Sequence, residues 1–127
     1  MYEVGVSRSF RAQHVMPGMP GPEGELHTHD YRLEVVVERA DLDERGMVCD
    51  LDVLQDRVEG IVARVEGGRL DEVQGLQHPE GVTVEVLARW SRDAIRSALG
   101  SEAGDAVSVR VWESPVAFGG YRASSSR

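Results

Sequence analysis

Two stretches of period-two alternation, joined by a segment that no regular ladder can use, constrain this chain more than any other feature. From Met1 to Val15, the residues Tyr2, Val4, Val6 and Phe10 take even positions against Glu3, Gly5, Ser7, Ser9 and Arg11. Side chains alternate faces along a strand, so this order predicts a strand with one buried face, ending by Met16. From Leu26 to Arg39, Tyr31, Leu33, Val35 and Val37 share one parity, while Leu26, Arg32, Glu34, Val36 and Glu38 share the other. A second long strand follows. Between the two lie Pro17, Gly18, Pro20, Gly21, Pro22 and Gly24. Proline donates no ladder hydrogen bond and glycine packs no side chain, so this run is a loop.

The pattern then changes period. After a turn around Asp41 to Gly46, Asp50 is placed to cap a helix, its carboxylate accepting free backbone N–H groups of the first turn. Leu51, Leu54, Val58, Ile61, Val62 and Val65 recur at steps of three and four, predicting an apolar stripe that runs to Gly67-Gly68. Thr83 opens a second helix in the same way, with Val84, Leu87, Trp90, Ala94 and Ile95 as its stripe and Gly100 as its end. Alternation returns from Ala106 to Glu113, and a short strand is expected near Tyr121. The order β-β-α-α-β-β, without an internal repeat, indicates an α+β domain with an antiparallel sheet over residues 1–122. Residues 123–127, small and polar, are expected to be a flexible tail.

Bulk properties exclude some functions. A chain of 127 residues with a net charge of −8 suits one compact domain without nucleic acid as partner, because phosphate binding calls for a lysine and arginine surface. The single cysteine, Cys49, rules out an internal disulfide framework and fits a reducing compartment. No apolar run reaches the roughly 18 residues that span a bilayer, and the first residues lack the basic-then-apolar order of a signal peptide. The expectation is a cytoplasmic protein with no membrane partner.

The chemistry-bearing residues cluster around the loop. His27 and His29 are two apart on a predicted strand, so both imidazoles project from one face. His14 lies near the end of the preceding strand and joins them if the two strands pair. Three imidazoles leave one tetrahedral position open, the arrangement of catalytic rather than structural zinc. His-x-His pairs also occur without a metal, but three of the four histidines fall within sixteen residues here. The fourth, His78, precedes Pro79 in a loop and is expected to be solvated.

Longer motifs carry a family resemblance. Ser9-Phe10-Arg11-Ala12-Gln13-His14 and, after the loop, Leu26-His27-Thr28-His29-Asp30-Tyr31-Arg32-Leu33 resemble the Phe-x-Ala-x-His and Leu-His-Gly-His-x-Tyr/Phe motifs of the 6-pyruvoyltetrahydropterin synthase and 6-carboxytetrahydropterin synthase family. Gly46-Met47-Val48-Cys49-Asp50-Leu51 is similar to the family's segment before the first helix, and Val82-Thr83-Val84-Glu85 to its Pro-Thr-x-Glu-Asn start of the second. Val111-Trp112-Glu113-Ser114, followed by Tyr121, resembles the Glu-Thr segment that anchors a pterin ring.

The resemblance implies the tunnelling fold: a four-stranded antiparallel sheet with two helices on one face, three subunits closing a twelve-stranded barrel, and usually two stacked trimers. It implies a homotrimer or homohexamer with zinc on His14, His27 and His29. It also implies Glu113 on the aminopyrimidinone edge of a pterin-like substrate, Thr83 and Glu85 nearby, and a pocket between subunits. Two departures stand out. The family's catalytic cysteine position holds Glu23, and its Leu-Asp-His proton-relay motif, contributed from a neighbouring subunit, reads Leu70-Asp71-Glu72, keeping Asp71 but losing the histidine. Thr28 also replaces the glycine between the zinc histidines.

A glutamate at the cysteine position resembles a variant of the family that releases 6-hydroxymethyl-7,8-dihydropterin from dihydroneopterin triphosphate. The leading expectation is a zinc-dependent lyase-type enzyme, acting by retro-aldol or elimination chemistry with Glu23 as base. Three alternatives remain open: a scaffold recruited to specialised-metabolite biosynthesis on a non-pterin carbonyl substrate, ordinary conversion to the pyruvoyl or carboxy product, and a non-catalytic zinc- and pterin-binding protein.

Overall fold

In the computed structural model, which describes residues 1–122, the chain runs through β1 (Tyr2–His14), β2 (His27–Arg39), α1 (Leu51–Val62), α2 (Val84–Leu99), β3 (Ala106–Ser114) and β4 (Ala117–Arg122). Short 3₁₀ turns occupy Gly21–Gly24, Leu70–Glu72 and Gly100–Ala103. The strands form one antiparallel sheet in the order β1-β2-β3-β4. The proposed tail, 123–127, lies outside the described residues.

Parity decides which face of the sheet is covered. Phe10 and Ala12 of β1, Tyr31, Leu33, Val35 and Val37 of β2, and Val107, Val109 and Val111 of β3 are buried in one cluster with Leu54 and Val58 of α1 and Leu87 and Ile95 of α2. Side chains of this size each contribute about 1.5–3 kcal/mol on full burial, so this face holds the sheet and both helices together. The opposite face is polar, presenting Glu3, Ser7, Glu34, Glu38, Ser108, Arg110 and Arg122. Such one-sided burial is the usual state of an antiparallel sheet with helices segregated to one side.

Both helix starts follow the predicted chemistry. Asp50 accepts from the N–H groups of Asp52 and Val53, and the Thr83 hydroxyl accepts from Val86 N–H at 3.1 Å. Either cap contributes about 0.5–2 kcal/mol. The α1 stripe is shorter than its spacing predicts. The helix ends at Val62, and the next residues wind into tighter turns, with Arg64 N–H donating to Ile61 C=O and Val65 N–H to Val62 C=O. Val65 stays buried from the turn, whereas Leu51 is 47% exposed and lines an open cleft with Tyr2, Leu42 and Met47.

Gly119 shows how tightly α2 seats on the sheet. A Cβ there would lie 2.6 Å from Cγ2 of Val84, so a bare backbone lets the first turn of α2 rest on β4. Among the described residues, no helix is long and apolar enough to cross a membrane.

Candidate metal centre

The ladder between β1 and β2 brings the predicted histidines together. His14 pairs directly with His27, and Ala12 with His29, so His14 faces one histidine and lies diagonal to the other. Their rings are close: centroids are 4.4 Å apart for His14–His27 and 4.7 Å for both His14–His29 and His27–His29. The Nε2 atoms of His27 and His29 are 3.0 Å apart. Two like basic atoms at that distance need a shared proton or a shared cation between them.

Backbone carbonyls fix how two of these rings point. His14 Nδ1–H donates to Val82 C=O at 3.2 Å, and His27 Nδ1–H donates to Glu25 C=O at 2.7 Å. With Nδ1 protonated, Nε2 carries the lone pair, and in both residues it is directed to the cluster. His14 Nε2 is buried, with no hydrogen-bond partner among the described residues. A buried acceptor left without a donor costs about 1–3 kcal/mol, so this atom fits a ligand to a cation. Burial, helped by the neighbouring imidazoles, lowers the affinity of His14 for a proton below the ordinary value of 6.5, against the raising effect of the Val82 hydrogen bond. The ring therefore stays neutral near pH 7, the form that binds metal.

Gly81 secures the Val82 carbonyl. Its φ of +95° belongs to the region that favours glycine, and a Cβ would stand 2.7 Å from Val15 C=O. The chain thus folds against the end of β1 and delivers the next carbonyl to His14.

The fourth member of the cluster comes from the hairpin loop. Glu23 Oε2 lies 3.7 Å from His27 Nε2, and the donor atoms of His14, Glu23, His27 and His29 all lie within 4.8 Å of one another. Three imidazoles with one carboxylate are a donor set suited to zinc.

The 6-pyruvoyl tetrahydropterin synthase family model matches residues 3–124. The chain belongs to that family. The solved 6-pyruvoyl tetrahydropterin synthase of Caenorhabditis elegans superposes with a TM-score of 0.75 at 22% identity, over 98% of this chain and 98% of that one. A mutant of the Plasmodium vivax synthase, altered at a catalytic glutamate, superposes with a TM-score of 0.76 at 16% identity, over 96% of this chain and 97% of that one. The Plasmodium falciparum synthase gives 0.75 at 16% identity, over 96% and 97%. Among curated proteins none matches significantly by sequence. The sheet order and the two helices on one face are those of the family's tunnelling fold.

Seen as a 6-pyruvoyl tetrahydropterin synthase family member, the chain disposes its remaining expected site residues unevenly. Glu113 is exposed and has the parity of Val107, Val109 and Val111, the face that bears the histidines. The register shifts between Trp112 and Ser114, so Glu113 sits in a bulge, a device that re-aims a side chain. Thr83 and Glu85 follow Val82 at the start of α2, where Thr83 is committed to its cap. Glu85 lines a cleft of about 760 Å³ with His78, Arg89, Trp90 and Tyr121. His78 is exposed, as expected.

Asp71 is not brought to the histidines. Arg69 holds it in a two-pronged pair, Nη2–Oδ2 2.8 Å and Nε–Oδ1 3.1 Å, which draws its carboxyl below the usual range. Glu72, beside it, is exposed.

Tyr31, the aromatic position of the second histidine motif, also borders the cluster. Tyr31 is buried, with its ring 5.6 Å from His29 and 6.2 Å from His14. Burial pushes its phenol well above the ordinary range, and the charges of Glu113 and Glu23 add to that shift. The motif and the parity it shares with His27 and His29 were the available signals. The orienting carbonyls of Val82 and Glu25 leave no trace in side-chain pattern.

Proposed function

We propose that this protein is a zinc-dependent lyase that cleaves or eliminates within the hydroxylated side chain of a pterin-like substrate, with Glu23 as base. The observation that carries the reading is the convergence of one loop carboxylate with three histidines. His14, His27 and His29 would hold a zinc ion, which when bound would supply Lewis-acid polarisation of a substrate oxygen. Glu23 accepts the proton of a side-chain hydroxyl as the adjacent carbon–carbon bond breaks. That oxygen becomes an aldehyde carbonyl, the bonding electrons pass to the ring-bearing carbon, and the proton on Glu23 returns to it. Glu113 accepts two parallel N–H donors from an aminopyrimidinone edge, with Thr83 and Glu85 beside it. The Plasmodium vivax relative, whose catalytic residue is a glutamate, supports this use of Glu23.

The pocket is completed by a second copy of the chain in a homotrimer or homohexamer, and the protein works in the cytoplasm. Asp71 would act across that interface, but its fork with Arg69 and the loss of the neighbouring histidine favour a second reading. In that reading the scaffold performs aldol, cyclisation or dehydration chemistry on a non-pterin carbonyl substrate.

The test offers dihydroneopterin triphosphate to the zinc-saturated protein and follows aldehyde and 6-hydroxymethyl-dihydropterin by mass spectrometry. Glu23→Gln keeps the shape and removes proton acceptance, so turnover falls by about two to four orders of magnitude. Unchanged activity removes Glu23 as base. Binding without turnover of any pterin transfers the assignment to the non-pterin reading or to a binding protein.

A further inference from the structure

The loop that carries Glu23 is held in one shape by its own backbone. Met16 N–H donates to Glu23 C=O at 2.9 Å, Met19 N–H to Met16 C=O at 3.2 Å, and Glu25 N–H to Pro22 C=O at 3.1 Å. Pro20, just before the turn, and Pro22, within it, restrict φ on either side of Gly21. At Gly24 the chain passes so close to itself that a Cβ would fall 2.0 Å from Met19 C=O. Glu23 is therefore anchored beside the end of β1 by the hydrogen bond to Met16, two residues beyond His14.

This anchoring sets the carboxylate at the spacing of a ligand. Zinc with bonds of about 2.0–2.1 Å in tetrahedral geometry keeps neighbouring donor atoms roughly 3.3–3.4 Å apart. The Glu23–His27 separation of 3.7 Å and the His27–His29 separation of 3.0 Å bracket that value. A base that works only on a bound substrate would stand farther off, leaving room for the substrate between itself and the histidines. His14, whose Nε2 is buried and without a hydrogen-bond partner among the described residues, belongs to the same cluster.

Resting on the reading that this cluster holds zinc, we propose that Glu23 is the fourth zinc ligand of the resting protein. The site is then closed until a substrate brings oxygen donors that replace the carboxylate. Release of Glu23 from the metal is what frees it to accept a proton, so substrate binding and activation of the base become one event. The Glu23 side chain is 54% exposed, so it can swing outward without disturbing the core.

The test uses the full chain in its native assembly, with folding of each variant checked by circular dichroism. Zinc affinity is measured by competition with a chromophoric chelator. Loss of a direct ligand exceeds the effect of an orienting partner, so Glu23→Ala weakens zinc binding by at least about tenfold. Imidazole, a neutral ligand, is then titrated into the cobalt-substituted protein while the visible spectrum is followed. It enters the Glu23→Ala site at a concentration about tenfold lower than it needs in wild type. Equal zinc affinity in the two proteins, or equal entry of imidazole, overturns the proposal. A wild type that binds no zinc, or a His29→Ala variant that binds it as tightly as wild type, defeats the metal assignment beneath it.

Discussion

His14 and His27 face each other across the β1–β2 ladder with ring centroids 4.4 Å apart, so each half of the hairpin supplies donors that the other half cannot replace. Zinc binding should therefore report directly on that pairing. We expect about one zinc per chain by elemental analysis, and loss of most of it in His14→Ala, His27→Ala and His29→Ala. Full zinc content in any of these variants contradicts the assignment.

The lowered proton affinity of His14 fixes the sign of a pH effect on the metal-free protein. The unfolded chain takes up a proton near the ordinary value of 6.5, while the folded chain resists it to lower pH. Between those two points the unfolded state binds more protons, so stability falls as pH drops below about 6.5. The contribution is fully present above that pH. Urea midpoints of the apoprotein at pH 7.5 and 5.5 should differ more for wild type than for His14→Phe.

Gly81 joins a stability effect to a metal effect. Gly81→Ala forces a side chain onto a φ of +95° and against the Val15 carbonyl. Destabilisation of about 1–3 kcal/mol by urea titration is expected. Because the Val82 carbonyl orients His14, zinc affinity should also fall at pH and temperature where the variant is fully folded. A variant as stable as wild type, with unaltered affinity, contradicts this role for Gly81.

Both sheet edges bear on assembly. Beyond β1, the described residues cover a short part of the edge, where Gly67 N–H donates to Arg11 C=O and Gln13 N–H donates to Gly68 C=O. The rest of β1 and all of β4 are edge strands with backbone groups that another copy can pair. A trimer or hexamer is the expected state by light scattering at micromolar concentration. A monomer rules out a pocket built between subunits.

Short-range pattern determined much of this protein. The period of two in β1 and β2 gave the buried face, and with it the common side of His27, His29 and Tyr31, because alternation follows from strand geometry alone. Asp50 and Thr83 marked the helix starts, since capping is satisfied within a few residues of the cap. The motif around His14, His27 and His29 named the donor set. Tertiary structure decided what depends on residues far apart in the chain. The Val82 carbonyl reaches His14 only because Gly81 folds against Val15. Glu23 joins the histidines because Met16 pins its backbone. Asp71, though its motif is legible, is held by Arg69 in a fork that the motif does not display. Backbone carbonyls and ion pairs of this kind depend on loop geometry, which carries no period for a sequence to display.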